Sequence, residues 1–441
     1  MTVKKHLKQL VRERMAKTGE SYTTARRQII KLRSAKKPTD PAARWHLPGS
    51  VPAANALRIL LTAAGVNDPT TGEPFSEAMI FGIAGGIGMG VAAFRYEKED
   101  FSSFFITGRH LWFDDEAYLK AALARVGIKP TIKETAGAKG AEKQLRDALE
   151  SGPCIAWVDM ANLPHRALPA TFSGSAYHLL TVYAIDGDQA LIGDLTDEPV
   201  SIPLADLADA RGRIKKQKHR LLSIPGSAPS VDLRRMVNDG LSACQKALVA
   251  KPGKGPLAMT GLGVLRRWAD RLHGSKDKES WEKMFPPGIN LWRGLASIHS
   301  FIENYGNGGG LGRPIFAEFL CEAAEVISEK RFAVLAEQYA KLGRGWSALA
   351  EAALPCAVPA FREAKELYSR YAESLTSGGP VEEKRQVWAR LGELAELAKE
   401  RFWISESQSA DLRAGLQQQV RALIAGEEAA AREVARVIDA K

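Results

Sequence analysis

His178 and Asp194 are the residues of this 441-residue chain best placed to move a proton. The histidine leads an apolar run, LLTVYAI, and the aspartate follows sixteen residues later inside LIGDLTDEPVSI. Both runs read as strands, and Asp186-Gly187-Asp188 between them reads as a hairpin turn. Neighbouring strands can bring an imidazole base and a carboxylate that orients it together across a sheet, an arrangement suited to general-base chemistry. A satisfied structural histidine is the alternative, and Asp186 and Asp197 compete with Asp194 for the orienting role.

The elements that must position this pair begin with a helix over 52–65, with Pro52 tolerated in its first turn and Ser50 placed as its cap. Helices at 116–126 and 141–149, a strand at 132–135 and strands at 154–158, 178–185 and 189–193 follow, a pattern that predicts an α+β domain. After Ile224-Pro225-Gly226 the periodicity turns helical, with helices over 233–248, 262–272, 291–302, 315–327 and 333–350. Two more follow Ser377-Gly378-Gly379-Pro380. The chain thus divides into an arm and linker at 1–40, an α+β domain at 41–228 and an all-α domain at 229–441.

Charge is concentrated in the arm. Residues 1–37 hold twelve Lys or Arg against Glu13 and Glu20, a net +10 that equals the net charge of the whole chain. Leu7, Leu10, Val11 and Met15 share one helical face, and Thr18-Gly19-Glu20-Ser21 reads as the turn into a second helix. A separable basic helical hairpin is expected. Lys4, Lys5, Lys8, Arg12, Arg26, Arg27, Lys31 and Arg33 are its candidates for binding a polyanion, either nucleic acid or an acidic protein. No apolar segment long enough for a membrane span is present and no secretory h-region follows the basic start, so a cytoplasmic protein without a membrane partner is expected.

Cys154, Cys244, Cys321 and Cys356 are scattered through apolar segments, and each reads as a small buried hydrophobe. No pair has zinc-ligand spacing, and neither a metal nor a cofactor is expected. Gly88-Met89-Gly90-Val91-Ala92-Ala93 formally matches a dinucleotide fingerprint, but no strand is read before it, so close backbone packing beside the helix at 52 is the preferred role.

The stretch LPGSVPAANALRILLTAAG, with Ser76-Glu77 and the glycines Gly82, Gly85, Gly86 and Gly88, resembles the N-terminal domain of the butirosin biosynthesis protein H family. Val158-Asp159 with Leu163-Pro164, His178 before its apolar run, and LADAR at 207–211 extend the likeness. From about residue 261 to 352, notably in FIENYGNGGGLGRPIFAEFLCEAA, the chain resembles the helical domain of unknown function that usually follows. The likeness covers about 46–355.

The resemblance implies a papain-like domain, an all-helical domain behind it, and transfer of an aminoacyl group from a thioester to an amine, or amide cleavage. It places the family's cysteine at Pro52 and the histidine before it at Val51, neither of which can attack an acyl group. His178 and Asp194 are then the base and its orienting acid. Ser50 is a displaced hydroxyl nucleophile or a helix cap, and His46 is an oxyanion donor or a solvated linker residue. Glu77, Gly85, Gly86 and Arg313 are candidates for the substrate groove, although the glycine loop before Arg313 also reads as a plain interhelical connection. A pseudoenzyme that binds an acylated carrier protein, a peptide or a small molecule is one expectation. An acyltransferase or amide hydrolase using His178 as base is the other.

Overall fold

The computed structural model describes residues 3–20, 22–31, 44–226, 230–251, 259–306 and 308–440. The linker at 34–41 and Arg33 lie outside them, as do the side chains of Lys4, Lys5 and Lys31. A helical hairpin comes first, α1 (Val3–Thr18) and α2 (Tyr22–Lys31). Gly19 takes the left-handed φ of 68° and returns its N–H to the Met15 carbonyl at 2.9 Å, which closes α1.

Next come α3 (Pro52–Ala63), α4 (Glu77–Ile83), β1 (Ile87–Tyr96), β2 (Phe101–Arg109), α5 (Asp115–Val126), β3 (Thr131–Lys133) and α6 (Ala138–Leu149). They are followed by β4 (Cys154–Asp159), β5 (Tyr177–Asp186), β6 (Gln189–Gly193), β7 (Val200–Pro203), α7 (Leu204–Arg213) and β8 (Leu221–Ser223). The six-stranded sheet runs β3-β8-β4-β5-β6-β7, with every registered pair antiparallel. Alternation along β4 feeds both faces. Cys154, Ala156 and Val158 join one apolar cluster with residues of α6 and α7, whereas Ile155 and Trp157 join the main core.

The rest of the chain is helical: α8 (Leu233–Val249), α9 (Gly263–Leu272), α10 (Trp281–Met284), α11 (Ile289–Glu303), α12 (Arg313–Val326), α13 (Arg331–Ala353), α14 (Pro359–Thr376), α15 (Val381–Glu400) and α16 (Glu406–Asp439). The mixed α+β region followed by a largely helical region is therefore as expected. The main core, however, runs unbroken from Val51 to Val437, so packing does not separate the two regions. At Gly82 a Cβ would lie 2.1 Å from the Phe319 ring, which is how closely α4 and α12 approach.

The β1–β2 hairpin corrects one reading. Gly88, Gly90 and their neighbours, where no strand is expected, form one, paired to β2 from Ile87↔Arg109 to Tyr96↔Phe101. Both glycines are still needed for close approach, since a Cβ on Gly90 would lie 2.4 Å from the Trp112 indole nitrogen.

Candidate functional site

His178 and Asp194 meet because of the β5–β6 register. Thr181 pairs with Gly193, so Asp194 leaves β6 beside the start of β5, where His178 sits. His178 Nε2 lies 2.7 Å from Asp194 Oδ1. Two residues of the turn after β4, unnoticed in the sequence, complete the cluster. Arg166 donates from Nε to Asp194 Oδ2 at 2.7 Å and from Nη2 to Oδ1 at 2.6 Å, and His165 Nε2 lies 2.8 Å from Oδ2. The turn itself is organised by Asp159, whose carboxylate accepts from the Ala161 N–H at 3.0 Å and from the Gly174 N–H. Tyr371, on α14, donates its hydroxyl to the Arg166 carbonyl at 2.9 Å, so the helical region helps to hold the turn.

The electrostatics of this cluster favour a neutral imidazole. Burial would raise the Asp194 pKa, but the Arg166 charge and the two histidine contacts hold it well below the usual carboxylate range. His178 is lowered, first by burial and then by the Arg166 charge, whose Nη2 lies 2.9 Å from Nε2; the Asp194 anion only partly opposes this. With Nε2 turned to Asp194, Nδ1 is the ring nitrogen left for proton or hydrogen-bond chemistry.

At the N-terminus of α3, Pro52 occupies the first turn and Val51 is the cap, without a side-chain hydrogen bond. The expectation that Ser50 caps this helix is corrected. Glu77 instead holds the backbone leading into the helix, its Oε1 accepting from the Ser50 and Val51 N–H groups at 2.8 and 2.7 Å. Ser50 Oγ donates to Glu77 Oε2 at 2.9 Å. Glu77 is thus a buried structural anion rather than a groove residue, and it already compensates the positive helix end that would favour a thiolate.

Other expected site residues lie elsewhere. His46 is buried, neither a solvated linker residue nor an oxyanion donor: Nδ1 lies 2.9 Å from the Tyr183 hydroxyl and Nε2 3.0 Å from the Thr196 carbonyl. Burial lowers its pKa to about 4. Gly85 and Gly86 pack in the interior, where added Cβ atoms would meet Ala243 Cβ at 3.0 Å and the Phe81 carbonyl at 2.3 Å. Arg313 is wholly buried, with Nε donating to Glu427 at 2.6 Å.

The arm is not a free basic appendage. Arg26 is buried, donates to the Gly49 carbonyl at 3.1 Å and pairs with Asp197. Arg27 is buried too, and donates to Glu318 at 3.0 Å and to the Gly308 carbonyl at 2.6 Å. Gly308, at φ 71°, leaves the room for this contact, since a Cβ there would come within 3.1 Å of both Arg27 Nη1 and Ser50 Oγ. Arg12 binds Glu373 with Nη2 at 2.8 Å, and Lys8 lies 3.6 Å from the same carboxylate. Arg26 and Arg27 therefore serve internal contacts and are corrected as polyanion ligands.

Pro52, Ser50, His178, Arg166, Tyr305 and Tyr371 face a common cleft of about 2210 Å³. Five of the eight exposed large hydrophobic residues among those described line it, namely Phe94, Tyr96, Phe113, Phe172 and Tyr177. Among the described residues no cluster of metal-ligating side chains occurs, and no helix is long and apolar enough to cross a membrane.

Two family matches cover most of the chain. Residues 53–195 match the family described as Butirosin biosynthesis protein H, N-terminal, and residues 204–385 match a domain of unknown function, DUF4872. No curated protein matches the chain.

Proposed function

We propose that this chain, in which a papain-like butirosin biosynthesis protein H N-terminal domain is followed by DUF4872, binds an acylated or peptidic ligand in its cleft without forming a covalent bond to it. The carrying observation is Pro52 in the first turn of α3, on the same cleft as His178. A pyrrolidine ring has no nucleophilic atom to offer. The Ser50 hydroxyl beside it is already donated to Glu77. The aromatic lining suits an apolar acyl or side-chain moiety, and His178 Nδ1 suits an amide or amine N–H as acceptor. The ligand is a small molecule, a peptide or the acyl group of a carrier protein. Contact between the arm and a nucleic acid or an acidic protein would fall to Lys4, Lys5, Lys8, Arg12, Lys31 and Arg33.

The lowered His178 pKa favours a second reading, in which the imidazole takes the proton of an amine as it attacks a thioester directly. Native mass spectrometry of the purified protein, followed by incubation with an acyl-pantetheine thioester and a primary amine, separates the two. Binding without thiol release supports the first reading. Thiol release that disappears in His178→Gln moves the assignment to the second. An acyl group found covalently on the protein overturns both.

A further inference from the structure

Away from the cleft, a nucleophilic cluster lies between α13 and α14. Cys244 and Cys154 are buried as expected, but Cys321 and Cys356 are exposed, which corrects their reading as core residues. Cys356 is not isolated. Lys365 Nζ donates to its Sγ at 2.9 Å and to Glu351 Oε2 at 2.5 Å. All three border a cavity of about 510 Å³, shared with Arg12 and Tyr22 of the N-terminal hairpin. The Lys365 side chain is about 10% exposed, and the Glu351 side chain about 60%. Burial works against the ammonium, yet its hydrogen bonds to Cys356 and Glu351 outweigh this and raise its pKa.

The geometry points to Cys356 and Lys365 as an oxidant-responsive pair that closes into a covalent sulfur–nitrogen bond when a peroxide enters this cavity. In the first step the Cys356 thiolate attacks one oxygen of hydrogen peroxide and the O–O bond breaks. Lys365 gives its proton to the departing hydroxide, so the products are a sulfenic acid, one water and a neutral amine. Sulfur is oxidised and peroxide reduced. In the second step the Lys365 amine, already in hydrogen-bond contact with Sγ, attacks the sulfenyl sulfur. The S–O bond breaks, the hydroxyl leaves with an amine proton as water, and a sulfenamide remains. The net change on the protein is the loss of two hydrogens.

This reaction lies beyond the ligand reading of the cleft and does not depend on it. It would replace a thiolate–ammonium pair by a neutral covalent link and tie the α13–α14 connection to α14, the helix that presents Tyr371 to the Arg166 carbonyl.

The test is peptide mapping of the full chain after limited hydrogen peroxide, without reductant. The expected product joins the Cys356 and Lys365 peptides with two hydrogens lost, and dithiothreitol reverses it. Lys365→Arg keeps the charge and provides the control: there Cys356 should proceed to the sulfinic acid, uncaptured. Oxidation of Cys356 in the native protein with Lys365 left free would overturn the proposal. So would a joined product that retains an oxygen atom.

Discussion

Arg166 grips Asp194 through two parallel hydrogen bonds, at 2.7 and 2.6 Å, inside the protein. The carboxylate that orients His178 is therefore already compensated, and the imidazole gains less from it than an unshared pair would provide.

Breaking that grip has a defined cost. Arg166→Met leaves a buried carboxylate with only histidine partners, and unfolding in denaturant should show a loss of about 3–5 kcal/mol. In any folded fraction the His178 imidazole, freed of a neighbouring cation, should titrate at higher pH by NMR. An unchanged His178 titration would contradict the electrostatic role given to Arg166.

Because Arg26 links the start of α3 to the loop after Asp194, the N-terminal hairpin belongs to the folded body. Deleting residues 1–31 should lower the melting temperature by several degrees, and Arg26→Met alone should cost roughly 3 kcal/mol. A truncated chain as stable as the full one would restore the picture of a detachable arm.

Pro52→Cys places a thiol at a helix start that faces the cleft. Alkylating probes should label residue 52 in that variant, although more slowly than an activated thiolate, because Glu77 already occupies the positive helix end. Ser50→Ala should cost about 1.5–3 kcal/mol, for a hydrogen bond to a charged acceptor, and leave any thioester aminolysis unchanged. An acyl group trapped on Ser50 would refute this.

Acid should act partly through His46. Its folded-state pKa is lowered to about 4, so the neutral ring's contribution is complete above the unfolded value near 6.5 and declines as pH falls from there toward about 4. At about 1.4 kcal/mol per pH unit the loss approaches roughly 3 kcal/mol. His46→Gln should flatten that part of the stability profile, and an unaltered slope would rule His46 out as its source.

Local patterning made α3, β5 and β6 legible, with the β6 bounds read as 189–193 and found as Gln189–Gly193. Those segments carry their own periodicity and turn residues. The β1–β2 hairpin was obscured because β1 carries Gly88 and Gly90 near its start, residues that weaken a strand pattern and stand there because His110 and Trp112 leave no room for a Cβ. His178 and Asp194 announced themselves by their strands. Arg166 and His165 did not, since a short turn has no period; the Asp159 that folds the turn was the available signal. Glu77 escaped as the helix anion because it lies 26 residues from Val51, and the Arg26 contacts span 23 and 171 residues. Contacts of that separation leave no mark on local composition.

The short strand β8 lies between β3 and β4, pairing Leu222 with Ile132 on one side and Ile155 on the other. A nascent chain leaving the ribosome exposes both flanking strands before their shared neighbour has been made, each with an open edge. The sheet cannot close until residues 221–223 emerge, and the core beneath it awaits helices as late as Val437. Fragments cut between the two matched families should therefore come off the ribosome as aggregation-prone or chaperone-bound species, and complementation from two separate genes would require both halves to find each other unfolded.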